Sequence, residues 1–203
     1  MSRPVIALWD LGNVVVRWDP EVILENFNFD AEPTAFLRHE LLGHQDWLRL
    51  DQGLITEQQF AERLVSESSL SASQVQHCFD VIRESLTDIP ESVELIEQMY
   101  SAGISMYVLS NMPLINAGYL RQRPYFKYFD GVVISAEEKL IKPDPALFQR
   151  VLDKHSLRAQ DLYFIDDSLP NIETAKAAGM HAQHFHRTAE CYRQIRQVFA
   201  LDN

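Results

Sequence analysis

Apolar residues along this chain keep two rhythms. In one, short unbroken runs stop at polar turn residues. Residues 5–9 run into Asp10-Leu11-Gly12-Asn13, residues 104–109 into Ser110-Asn111, and residues 162–165 into Asp166-Asp167, with a further short run at 131–134. Runs of this length between turn signals predict strands buried on both faces. Residues 181–185 read as a last strand. In the other rhythm, apolar residues recur three and four apart. From about residue 21 to 84 this helical spacing is unbroken, through Val22, Leu24 and Phe27, then Phe36, Leu37 and Leu41. Thr56-Glu57-Gln58-Gln59 and Ser71-Ala72-Ser73-Gln74 each have the form of a capping box. Beyond Asp88-Ile89-Pro90, helices predicted near 90–102, 113–122, 145–152, 170–178 and 192–199 alternate with the strands.

Strands alternating with helices indicate βαβ units and a parallel sheet, so the fold class is α/β, with a small all-helical insertion after the first strand. Right-handed crossovers bring every strand's C-terminal end to one edge, where open parallel sheets bind ligands. Asp10, Ser110 and Asp166-Asp167 each follow a predicted strand and should converge there.

Composition narrows the partners. The 203 residues carry a formal net charge of −11, with 46% hydrophobic and 23% charged residues. That balance describes an ordinary globular protein and disfavours nucleic acid and anionic membranes. The densest basic spot, Arg121-Gln122-Arg123, reads as a solvated helix end, and no stretch approaches a membrane span. Two cysteines, Cys78 and Cys191, lack metal-ligand spacing and fit a reducing compartment. The N-terminal apolar run is too short for a signal-peptide core, so a cytoplasmic protein, monomer or homodimer, is expected.

Three carboxylates brought together would repel and raise one another's pKa. A hard divalent cation relieves this, and Mg²⁺ favours one or two carboxylates plus substrate phosphate. Lys142, in Ile141-Lys142-Pro143-Asp144, adds a positive charge. Asp10 could then attack phosphorus and form an aspartyl-phosphate that water cleaves, while the Ser110 hydroxyl donates to phosphate oxygens.

Asp10-Leu11-Gly12-Asn13-Val14, Leu109-Ser110-Asn111, Lys142-Pro143 and Phe164-Ile165-Asp166-Asp167 resemble, in order, the four motifs of the haloacid dehalogenase superfamily. The resemblance covers nearly the whole chain. It implies a Rossmann-like core at residues 1–16 and 89–203, a helical cap at 17–88, a Mg²⁺ cofactor and phosphatase activity on a small phosphorylated metabolite. By position, Asp10 matches the nucleophile and Gly12 the residue whose carbonyl faces the metal. Asp167 matches the acid that binds metal directly, with Asp166 its neighbour, and Asn171 matches a recurring asparagine. Ser110, Asn111, Lys142 and Asn171 are the expected substrate contacts.

Family phosphatases usually carry a second aspartate two residues after the nucleophile as general acid and base, and Gly12 stands there instead. The Asp-Leu-Gly-Asn pattern is similar to a bacterial subgroup that includes α-D-glucose-1-phosphate phosphatases. Without a proton donor, good leaving groups such as an anomeric hydroxyl should be favoured. His44, Asp46 and Asp51, around Trp47, are candidate substitutes from the insertion.

Competing readings are a metal-free 2-haloacid dehalogenase, in which Asp10 attacks carbon, and a binding or regulatory protein made conceivable by Gly12. Asp166-Asp167 could instead cap the following helix, a task Ser168 could also perform. Of His181, His184 and His186, the last two share a strand face and invite a zinc reading, although a closed zinc site needs four ligands.

Overall fold

A computed structural model describes residues 5–201; residues 1–4 and 202–203, the two ends of the expected core, lie outside it. Its centre is a sheet of five parallel strands, β1 (Ile6–Trp9), β2 (Ser105–Ser110), β3 (Gly131–Ile134), β4 (Leu162–Asp166) and β5 (His181–His184), in the order β3-β2-β1-β4-β5. The first strand is therefore the middle one, with Ile6 paired to Ser105 on one side and Leu162 on the other. Alternation along β1 sends Ala7 and Trp9 to one apolar layer and Leu8 to the opposite one. Both layers are helix-covered, which explains the unbroken apolar runs.

Between β1 and the rest of the sheet lies the helical insertion: α1 (Pro20–Asn26), α2 (Ala31–Leu37), a π-helical turn at Arg38–Leu42, α3 (Gln45–Asp51), α4 (Glu57–Glu67) and α5 (Ala72–Ser85). Both expected capping boxes form, Thr56 with Gln59 and Ser71 with Gln74. The insertion buries its own apolar cluster, including Ile23, Phe27, Leu41, Phe60 and Phe79, distinct from the two that sandwich the sheet. It also keeps an internal ion-pair group, with Asp46 2.9 Å from both Arg49 and Arg63.

Among the described residues, α-helices α6 (Pro90–Ser101), α7 (Leu114–Leu120), α8 (Ser135–Glu138), α9 (Pro145–His155), α10 (Leu169–Ala177) and α11 (Ala189–Phe199) complete the α/β fold, with 3₁₀ turns at Pro124–Tyr128 and Ala159–Asp161. Proline opens α6 and α9, where its missing N–H costs nothing, and Gly103 and Gly179 at positive φ follow α6 and α10. Leu95 and Ile96 of α6 and Ile195 of α11 pack on one face of the sheet, Phe148 of α9 and Ile172 of α10 on the other. Among the described residues no helix is long and apolar enough to cross a membrane.

One point where the insertion meets the core is the end of α3 against α8. The Ser135 hydroxyl donates to the Asp51 carbonyl, Gln52 Nε2 donates to Lys139 O at 3.0 Å, and Lys139 Nζ donates to Gly53 O. Gly53 is required twice over. Its φ is +66°, and a Cβ there would stand 2.4 Å from the Ala136 carbonyl.

Candidate active site

Asp10, Ser110 and Asp166-Asp167 stand at or just past strand ends, Lys142 lies in the loop between α8 and α9, and Asn171 lies in the first turn of α10. The Asp10 N–H donates to Ile165 O at 3.0 Å, so the residue is the last tied to the sheet before the chain turns. In that turn the Leu11 carbonyl accepts from Val14, Val15 and Val16, and Asn13 takes a positive φ of 55°, a conformation asparagine tolerates well. Lys142 Nζ reaches across to Asp10 Oδ1 at 2.8 Å and to Asp166 Oδ2 at 2.6 Å, with all three groups buried. Asp10, Asp166 and Asp167 present ligand oxygens within 4.8 Å of one another. The convergence expected of the strand ends is therefore present.

The neighbours of these groups have different duties. Asn111 accepts from the Lys142 N–H at 2.8 Å and donates to the Lys142 carbonyl at 3.0 Å, so its amide fixes the lysine loop to the end of β2. Asn171 Nδ2 lies 3.0 Å from both Asp166 oxygens, and the Ser168 N–H donates to Asp166 Oδ1 at 2.8 Å. Asp166 thus engages the start of α10, whereas the Ser168 side chain makes no cap bond. Asp167 is half-buried. Ser110 Oγ is buried and meets no partner among the described residues, a donor open to a ligand at this edge.

Electrostatics follow from burial. Desolvation pushes the Asp10 carboxyl up to about 7, with Lys142 pulling against it and Asp166 adding to it. Burial works against the Lys142 charge, yet Asp10 and Asp166 outweigh it and hold the ammonium above its ordinary pKa. Burial raises Asp167 too, followed by the charge of Asp166, while a hydrogen bond from Asn13 opposes both. Three acids share one lysine, and an all-oxygen donor set with surplus negative charge suits a hard dication such as Mg²⁺.

A cavity of about 180 Å³ opens over this floor. Asp10, Gly12 and Asp167 line its base; Trp18, Trp47 and Asp51 come from the insertion side, and Met112 and Asn116 from beyond β2. The two indoles lie 5.3 Å apart at 31°, forming an aromatic wall. Of the expected insertion residues, His44 and Asp46 are spent structurally: His44 Nδ1 accepts from the Asp46 N–H, and Asp46 pairs with Arg49 and Arg63. Asp51 alone of the three faces the cavity. Burial, then the charge of Asp10, pushes its carboxyl up to about 8.

Asn13, Trp18, Met112 and Asn116 join the site without having been expected there. Asn13 carried a signal, since Gly-Asn after a strand marks a tight turn. The other three had none. The histidines supply no metal site: His184 Nε2 lies 2.8 Å from the Asp167 carbonyl and its ring abuts His186, and among the described residues only the aspartate trio offers three clustered ligands.

The family described as haloacid dehalogenase-like hydrolase matches residues 7–179, and the chain belongs to it. A sesquiterpene phosphatase, astK, of Aspergillus oryzae is 25% identical over 95% of both chains. Drimenol cyclase drtB of Aspergillus calidoustus is 29% identical over 98% of this chain, which spans only 37% of that protein. Among solved structures, a haloacid dehalogenase family enzyme of Bacteroides thetaiotaomicron in a magnesium complex superposes with a TM-score of 0.79, covering 96% of this chain and 100% of that one, at 23% identity.

Proposed function

We propose that this hydrolase is a Mg²⁺-dependent phosphatase of small phosphorylated metabolites, with a sugar phosphate such as glucose 1-phosphate as candidate substrate and residues 17–88 as its cap. The observation that carries the reading is the buried lysine joining Asp10 to Asp166 while Asp167 stays beside them. A dehalogenase attacking carbon has no use for such a crowd of acids. Similarity to a protein named as a phosphatase over nearly its full length adds support.

In this reading Asp10 is the nucleophile. One carboxylate oxygen bonds to phosphorus as the bond to the leaving oxygen breaks, and water then cleaves the aspartyl-phosphate. Lys142 keeps the carboxylate ionised and faces the phosphoryl oxygens, and Ser110 Oγ donates to one of them. Asn111 and Asn171 act by positioning Lys142 and Asp166. Asp10, Asp167 and the Gly12 carbonyl would hold Mg²⁺, with Asp166 behind them; the cation supplies charge neutralisation for the transferring group.

The test is phosphate release from glucose 1-phosphate and 4-nitrophenyl phosphate with Mg²⁺ and with EDTA. Turnover that needs Mg²⁺, with acid-labile phosphate on Asp10, is expected; turnover of 2-chloropropionate in EDTA instead would reverse the assignment. The aromatic wall, with Leu86 and Met112 beside it, favours a second substrate reading, a short prenyl monophosphate, whose hydrocarbon tail could pack against these apolar side chains. Comparing kcat/KM for prenyl phosphate and glucose 1-phosphate, and for glucose 1- and 6-phosphates, ranks these choices.

A further inference from the structure

Gly12 leaves the core of this site with no group to carry protons to and from the reacting oxygens. We propose that Asp51, at the end of α3, is the catalytic acid and base, lent to the site by the insertion. The inference rests on the phosphatase reading and adds a residue to it.

Three observations carry it. First, the Asp51 side chain is buried and lines the cavity with Asp10, Gly12 and Asp167, yet no hydrogen bond or ion pair engages its carboxyl among the described residues. A carboxyl held in so desolvated a position, facing the cavity, calls for a reason. Second, the other two polar candidates nearby, His44 and Asp46, are already paired inside the insertion. Third, the backbone carrying Asp51 is clasped to the core by several contacts. Ser135 Oγ donates to the Asp51 carbonyl and accepts from the Met112 N–H at 2.8 Å, two residues past Ser110. Gln52 and Gly53 then seat on Lys139, and only glycine fits the approach to Ala136. The clasp fixes the carboxyl relative to the end of β2, which fine positioning of a proton donor demands.

The protons balance. In the first half-reaction an Asp10 oxygen bonds to phosphorus, the phosphorus–oxygen bond to the leaving group breaks, and the leaving oxygen takes the Asp51 proton. In the second, ionised Asp51 takes a proton from water as that water's oxygen bonds to phosphorus and the bond to Asp10 breaks. Asp51 ends protonated, as it began.

The test compares leaving groups in Asp51→Asn. With 2,4-dinitrophenyl phosphate, whose leaving group needs no proton, phosphorylation of Asp10 should stay within about threefold of wild type, while an alkyl ester such as glucose 6-phosphate loses about 10²–10⁴-fold. Dephosphorylation should also slow, so the dinitrophenyl ester gives a burst and acid-labile phosphate accumulates on Asp10. Asp51→Glu should recover part of the alkyl-ester turnover. Equal losses on both esters, no accumulation, or a Glu variant as poor as the Asn variant would each overturn the role. If wild type itself forms no aspartyl-phosphate, the phosphatase reading fails and takes the role with it.

Discussion

The floor and roof of the cleft obey opposite rules. On the floor the buried acids have partners: Lys142 spans Asp10 and Asp166, and Asn171 and the Ser168 N–H engage Asp166 as well. On the roof, Asp51 is buried without a match beside two tryptophans. The contrast separates two tasks. In the proposed phosphatase, a floor of partnered acids would treat every phosphoryl group alike, whereas the roof would meet the part of the substrate that varies. Gly12 marks where a task has left the floor.

The sharpest way to break this division is Asp10→Asn. It should lower kcat on the order of 10⁴-fold or more for every ester, good or poor leaving group alike, in contrast to the selective loss expected for Asp51. Phosphate release and circular dichroism together read it out. Next, Lys142→Met strands two buried carboxylates and should cost about 3–5 kcal/mol in chemical denaturation. A smaller effect comes from pH. Asp10 and Asp51 rise from 3.8 to about 7 and about 8 on folding. Between those limits the folded chain holds protons the unfolded chain has released, so stability falls as pH rises through the window. In EDTA, Tm at pH 8.5 should lie roughly a few degrees below that at pH 5.5, and Asp51→Asn should flatten part of the slope. The mildest change is Ser71→Ala, which removes one capping box inside the insertion; about 1 kcal/mol should be lost with kcat unchanged.

Much of the floor is legible in the amino-acid sequence. Buried runs ending at Asp10, Ser110 and Asp166 can do little else than form a parallel sheet with those residues on one edge, whereas Lys142, in a loop where lysine is by default solvated, is legible only through the ordered set of motifs. The four-residue α8 is too short to show a period, and Asp166 rather than Ser168 engages the start of α10 because a buried carboxylate seeks every donor in reach. The roof is harder to read. His44, Asp46 and Asp51 are equivalent by composition, and only their partners tell them apart. Those partners lie as far off as Arg63 and Ser135, so no local pattern distinguishes the spent acid from the free one. Trp18 and Asn116 reach the cavity through the same long-range packing.

The middle strand of the sheet is the first of the five to be synthesised. Its partners arrive about a hundred and about a hundred and fifty residues later, at Ser105 and Leu162. A nascent chain still on the ribosome therefore carries Asp10 long before its neighbouring strands can hold it in place, and the site must assemble late, as the β4 segment emerges.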